Sequence, residues 1–540
     1  MSDAAPATQS SHSEKYLFWA CFIALIATAF GFMVRGVLID EWGTQFGLDD
    51  VEKGQIAGVG VWPMGVSIIL FSLVIDKIGY GRAMAFAFFA HIAYAVVVIC
   101  APMVLAPEGA SAAEIAAGKS AGYWMLYIGN LIFALGNGTV EAVINPVVAT
   151  LFSREKTKWL NILHAGWPGG LVLAGLLTIA MGDIDWRLKV GLIFLPVLTY
   201  GIMMLQCKFP LSERVAAGSG YREMLQEFGI LGALIVTMLI VREVLGSVFG
   251  FSPTIQWAVV AAVVVPFGLY VRALGRPMFI FLLLIMIPLA TTEIGTDSWI
   301  TSLMEPEMAT LGMNAAWVLV YTSFIMMVLR FFAGPIVHKI SPLGLLAVSC
   351  VIAAVGLLAL SKAAGIMILA AATLYGFGKT FFWPTMLGVV SERFPKGGAL
   401  TLNATGGVGM LGVGVLGAPF FGLLQEENVT DHLKQAQPAI YEQITSEKNS
   451  VFGPYTAVDP EKKEELPAEE KKTVEEYVLL SKKATLATVA IFPCIMLVCY
   501  LALIAYFKSK GGYTAEILAG HPDAEEATKF TSGSEAPGEA

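Results

Sequence analysis

The sequence predicts an all-α membrane protein: two six-helix bundles plus two extra helices, fourteen transmembrane spans in all, with both termini cytoplasmic. Three observations predict it. Only 14% of the 540 residues are charged and 56% are hydrophobic, whereas a soluble globular chain carries roughly 25% charged residues. Fourteen segments are long and apolar enough to cross a bilayer, which takes about 20 mainly apolar residues each. Basic residues gather in alternate connections, as they do on the cytoplasmic side of membrane proteins.

The first six runs cover about 16 to 39, 54 to 75, 83 to 105, 123 to 152, 158 to 182 and 187 to 208. Two more, about 229 to 250 and 255 to 274, follow a polar stretch. The last six cover about 278 to 304, 314 to 337, 343 to 362, 365 to 392, 398 to 424 and 485 to 507. The first run is too long for a signal-peptide core and is read as retained. With the N-terminus inside, sixteen lysines and arginines fall near the inner ends of spans and five in the short outer loops. This divides the chain into a cytoplasmic tail (1–15), an N-terminal bundle (16–209), a linker with an extra hairpin (210–277), a C-terminal bundle (278–507) and a disordered cytoplasmic tail (508–540). The external connection, 425–483, mixes acids and lysines; Glu464 to Leu480 reads as a charged helix entering the last span, and the whole as a solvated loop.

The net charge of -8 and the absence of a clustered basic face exclude nucleic acid as a partner. The six cysteines lie in apolar runs without a paired spacing, as buried small hydrophobes do. Scattered histidines give no metal site, and no cofactor is expected. Neither a G-x-x-x-x-G-K-[ST] loop nor a nucleophile and base pair occurs, so neither an ATP-driven pump nor an enzyme is indicated.

Between the second and third runs lies Asp76-Lys77-Ile78-Gly79-Tyr80-Gly81-Arg82. An acid closing one helix, a glycine for a tight turn and a base opening the next resemble the D-[RK]-x-G-x-[RK]-[RK] loop of the major facilitator superfamily. The resemblance implies that Asp76, Lys77, Gly79 and Arg82 form a conformational latch. A poorer copy, Gly334 to Lys339, falls after the same number of spans in the other half, as a transporter built from two related six-helix halves predicts.

Polar residues at membrane depth are costly and normally face a cavity or the protein interior. Asn137, Glu141 and Asn145 share one stripe of the fourth span. The stripe points to a cavity lining, the alternative being an interhelical clamp. Asn161 and His164, three apart in the fifth span, face one way; His164 reads either as a proton relay or as a satisfied interior histidine. Gly136 to Pro146, with Leu160 to His164, is similar to the G-x-G-x-x-E-x-x-x-N-P and L-N-x-x-[QH] segments of the fucose:proton symporter family. Thr292 to Ile300 is similar to that family's E-x-G-x-x-S-W. The resemblance implies proton and sugar handling at Glu141.

In the second half Glu293 and Asp297 share a face, with Trp299 close by. Lys379 sits at the centre of the twelfth span and needs an acidic partner or a bound anion. Trp383 offers a ring to stack on a sugar, or belongs to a core aromatic cluster, and Asn403 adds an amide before a glycine-rich helix. Arg330 reads as structural, its head reaching the inner interface. Arg242 and Glu243 are expected to touch neighbouring helices rather than substrate.

The expected function is proton-coupled alternating access by a secondary transporter of a small polar solute, a sugar by resemblance. Glu141 or Glu293 would take a proton when buried and release it when hydrated. An organic anion carrier using Arg35 and Lys379, and a membrane sensor, are the alternatives. The partners expected are the solute, protons and the lipid of the inner cell membrane, with the chain acting as a monomer.

Overall fold

The computed structural model describes residues 11–518 apart from 49, 108, 298–307, 309–311, 315, 451, 460–461 and 464. Almost all of the described chain is helical, with one two-stranded antiparallel hairpin, Thr445–Ser450 paired to Gly453–Val458. Among the described residues, twelve helices are long and apolar enough to span a membrane. A thirteenth span is the bent pair Ala316–Phe331 and Ala333–Ile340, which turns by 63°. The remaining expected span, 365 to 392, is a broken pair of shorter helices, Met367–Lys379 and Phe382–Arg393.

The site is built from the turn Thr291–Gly295, which carries Glu293, and from eight helices. The helices are α1 (Ser11–Phe46), α2 (Ala112–Leu151), α3 (Lys156–His164), α4 (Gly166–Ala180), α5 (Ala316–Phe331), α6 (Met367–Lys379), α7 (Phe382–Arg393) and α8 (Gly398–Gly412). α1 and α2 run to 36 and 40 residues, overshooting the bilayer-length runs read from hydropathy. α2 begins outside the apolar run because Ser111 and Glu114 form a reciprocal capping box that starts the helix early.

The halves meet most extensively along three helix pairs: Trp62–Ile78 on α8, α4 on α5, and α3 on α7. Glycine makes the first approach possible. A Cβ on Gly65 would lie 2.9 Å from the Gly407 carbonyl, and one on Gly407 only 2.5 Å from Ile69. With no lipid-excluding hydrophobic effect between spans, such small-residue packing is the main source of association.

Residues near both ends of the described chain, Tyr16 and Glu516, lie with the basic loops. Tyr16 reaches Gln206, Phe18 packs edge-on against Phe152 and Trp159, and Glu516 pairs with Arg276 and Arg393. The C-terminal tail therefore departs from expectation at its start. Tyr513 donates to Glu392 at 2.8 Å, Arg393 binds the Thr514 carbonyl, and Leu518 is buried.

The connection 425–483 is also not a solvated loop. Val429, Leu433, Ile440, Ile444, Leu466 and Val474 form a separate apolar core, with Tyr441, Val458, Tyr477 and Val478 packed on it. The charged helix read at 464–480 is present as Ala468–Val489, and its apolar side closes this core. The extra hairpin, Tyr221–Val241 and Pro253–Val271, packs on α8 through its first helix; within it Arg242 bonds Gln256 of the neighbouring helix at 3.3 Å.

Candidate substrate and proton site

The site is built on missing backbone hydrogen bonds. A proline cannot donate to the carbonyl four residues before it, so each helical proline frees one acceptor. Pro146 frees Ala142, Pro168 frees His164 and Pro384 frees Thr380. The helices break at the last two: α3 ends at His164 and α4 starts at Gly166, while α6 ends at Lys379 and α7 starts at Phe382.

Side chains take all three carbonyls. Asn403 Nδ2 donates to the Ala142 oxygen at 2.9 Å, bridging the halves. Arg330 takes the other two, Nη1 to the His164 oxygen and Nε to the Thr380 oxygen, each at 2.7 Å. Its third edge, Nη2, meets Glu293 Oε1 at 2.7 Å. The fork of guanidinium donors is what lets one residue do this. Arg330 is 1% exposed, so it does not reach the interface as expected; the freed carbonyls and Glu293 hold it inside.

Glu293 lies in a π-helical turn, Thr291–Gly295, a distortion found often at functional sites. Its other oxygen accepts the Trp383 backbone N–H at 3.1 Å, at the N-terminus of α7, where the partial positive charge of a helix start favours an anion. From Arg330 the chain of contacts continues into the N-terminal half. His164 Nε2 meets Asn145 Oδ1 at 3.0 Å and Asn145 Nδ2 donates to Glu141 Oε2 at 2.6 Å. His164 stands 4.0 Å from Glu141. With the Asn145 oxygen as acceptor, the Nε2–H tautomer of His164 fits this contact. One polar path thus runs from Glu141 through Asn145, His164 and Arg330 to Glu293.

The other residues read from sequence fall beside this path. Asn137 Oδ1 contacts His91 Nε2 at 2.9 Å, and His91 Nδ1 meets the Tyr200 hydroxyl at 3.1 Å. His91 and Tyr200 escaped the sequence reading, because each is a single polar group in an otherwise apolar run. Asn161 Nδ2 reaches Thr385 Oγ1 across the seam at 3.2 Å. Lys379, fully buried, has the acidic partner its position demanded: Asp297, four residues beyond Glu293. Its ammonium also lies 5.3 Å from the Tyr375 ring centre. The Trp383 ring packs over Gly406 and Gly409, so its backbone, not its ring, joins the network. Trp299 lies outside the described residues. Two amide oxygens at the seam, Asn161 Oδ1 and Asn403 Oδ1, are buried without a hydrogen-bond partner among the described residues.

A family model described as Major Facilitator Superfamily matches residues 20–425. The chain belongs to the major facilitator superfamily. Its fold is shared with the transporter FucP in its outward conformation (14% identity, TM-score 0.53, covering 89% of this chain and 98% of that one). It is shared also with the E. coli proton:xylose symporter XylE bound to 6-bromo-6-deoxy-D-glucose (13%, 0.56, 90% and 96%). A third is the human organic anion transporter MFSD10 (11%, 0.56, 90% and 99%). No curated protein matches by sequence. Membership makes the chain a multi-pass transporter that binds a small molecule.

In this superfamily member the loop after the second span is held by the linker. Gly79 joins two helices with φ of +83°, a conformation glycine adopts without strain. Asp76 pairs with Arg214 and accepts from Ser212 at 3.0 Å, while Lys77 lies over the Tyr221 ring. The neighbouring Glu213 takes Lys156 at 2.5 Å, and Lys156 also donates to the Ser391 carbonyl of the other half at 3.2 Å. Of the four residues expected to form the latch, Asp76, Lys77, Gly79 and Arg82, Asp76 takes as its cation Arg214 of the linker, which the sequence reading did not name. The Lys158 ammonium at 2.8 Å, and His338 after it, hold Glu155 in the same inner region below the usual carboxylate range despite partial burial.

Proposed function

We propose that this superfamily member is a proton-coupled secondary transporter, residing in the cell membrane as a monomer, for a small polyhydroxylated solute of sugar type. The observation that carries the reading is the polar path from Glu141 to Glu293, which joins the two halves at the seam that alternating access must open. Glu293 has a full cation in Arg330, whereas Glu141 has only an amide at bonding distance and His164 at 4.0 Å. Glu141 is therefore the carboxylate able to change its protonation without breaking an ion pair. It carries a proton while sealed and gives it up when the cavity fills with water on the other side.

The partnerless oxygens of Asn161 and Asn403 support a hydroxylated solute, since buried acceptors need donors and hydroxyl groups supply them. Opening either face breaks the Asn403 and Arg330 bonds to the N-terminal half, so solute binding has to replace them. The test is uptake into proteoliposomes. An inward proton gradient should drive accumulation of labelled sugar by the wild type, and Glu141→Gln should abolish the effect of the gradient. Accumulation that ignores the gradient, or survives unchanged in Glu141→Gln, would overturn the reading.

A further inference from the structure

Of the cations inside the C-terminal bundle, Arg330 has Glu293 and Lys379 has Asp297. Arg35 has no such partner: among the described residues no carboxylate lies within ion-pair distance of it. It is 4% exposed, and its one hydrogen bond is a long contact of Nη1 to Asn130 Oδ1 at 3.4 Å. The guanidinium carbon lies 5.3 Å from the Phe32 ring centre.

The surroundings are shaped for this side chain. A Cβ on Gly60 would fall 1.6 Å from Nη1, so the glycine between helices Asp50–Val59 and Trp62–Ile78 is what admits the guanidinium. The next residue but one, Trp62, sits 3.5 Å from where a Cβ on Gly414 would lie, which puts the break at the seam with the C-terminal half. Tyr94, close enough to interact electrostatically with Arg35, holds a buried hydroxyl without a hydrogen-bond partner among the described residues. Asn130 belongs to the same stripe of α2 as Asn137 and Glu141, at spacings of seven and four residues. Arg35 thus marks one end of the polar stripe, about 16 Å along the helix axis from Glu141.

We propose that Arg35 is the anchor for an oxyanion on the transported solute. Resting on the transport reading above, this adds a charge to the substrate class: a sugar acid or sugar phosphate, or a simpler carboxylate, rather than a neutral sugar. A buried guanidinium with four free donors presents the fork that matches a carboxylate or phosphate edge, with the Tyr94 hydroxyl as a further donor. The solute's own charge then supplies the counter-ion the fold omits. Entry of a monoanion with a proton taken by Glu141 carries no net charge across the membrane, with Arg35 of α1 at one end of the α2 stripe and Glu141 further along it.

The experiment is thermal stabilisation of the purified full chain by ligands sharing one ring and differing at one carbon: D-glucose, D-glucuronate and D-glucose 6-phosphate, alongside lactate and succinate. At least one anion is expected to stabilise the wild type at concentrations tenfold or more below any effect of glucose, and the one that does so separates carboxylate from phosphate. Arg35→Gln should abolish that selectivity, and Arg35→Lys should retain part of it. Glucose binding as well as its anionic partners, no binding by any anion, or selectivity unchanged in Arg35→Gln would each overturn the proposal. Proton-driven glucose uptake that persists in Arg35→Gln overturns it too, while leaving the proposed sugar transport standing. The wild-type comparison requires no variant, so a poorly folding Arg35→Gln does not blunt the test.

Discussion

Replacing Arg330 by methionine keeps the volume of the stem but removes every donor of the guanidinium. Glu293 would then be a buried carboxylate without its cation, a loss worth about 3–5 kcal/mol when one member of a buried pair is removed. The His164 and Thr380 carbonyls would also lose their partners, at about 1–3 kcal/mol each. The parts overlap, because Glu293 keeps the Trp383 N–H and the broken helices can relax, so the lower end of the sum, about 5 kcal/mol, is the expected cost. Thermal and denaturant unfolding in mixed micelles, followed by tryptophan fluorescence, reads it. The diagnostic is a double-mutant cycle. Arg330→Met with Glu293→Gln removes the stranded charge and should recover about 2 kcal/mol or more relative to Arg330→Met alone. Arg330→Lys should fall between, since an ammonium keeps the charge but cannot span two carbonyls and a carboxylate. If the two substitutions add within about 0.5 kcal/mol, the pair is not coupled and the reasoning fails.

Two further outcomes follow from the inner loops and the outer connection. Asp76→Asn weakens the hold on Arg214 and Ser212, so a membrane-impermeant maleimide should label Ser391→Cys about tenfold faster, the change that about 1.4 kcal/mol produces; an unchanged rate would remove Asp76 from the latch. Leu433→Ala opens a cavity in the separate core of 425–483 and should destabilise that unit by about 2–5 kcal/mol, seen as faster proteolysis there, with the membrane bundle melting unchanged. An equal fall in both transitions would mean the unit has no independent stability.

Much of the bundle was legible because lipid imposes one strong rule: every span must be apolar and must satisfy its own backbone. The same rule makes each polar residue conspicuous, which is why Glu141, Asn145, His164 and Glu293 stood out and do meet along one path. The linker's grip on Asp76 was not legible, since it joins segments more than a hundred residues apart; the capped start of α2 is written as the S-x-x-E of Ser111 to Glu114, but lies outside the apolar run that hydropathy marks. The core within 425–483 left a fainter trace: Val429 and Leu433, Ile440 and Ile444, and Val474 and Val478 each stand four apart among charges, a helical stripe that charge counting obscures.

Arg330 is the instructive case, because its signal was present and of another kind. Hydropathy treats Pro168 and Pro384 as mild breaks, yet each names the carbonyl it releases, His164 and Thr380, by a fixed offset of four. Two freed acceptors in spans that meet at the seam require donors at the same depth, and few buried side chains carry several. Arg330 sits in a third span facing both. Its burial then follows from backbone chemistry rather than from hydropathy: one side chain satisfies helix breaks in both halves and the Glu293 carboxylate between them.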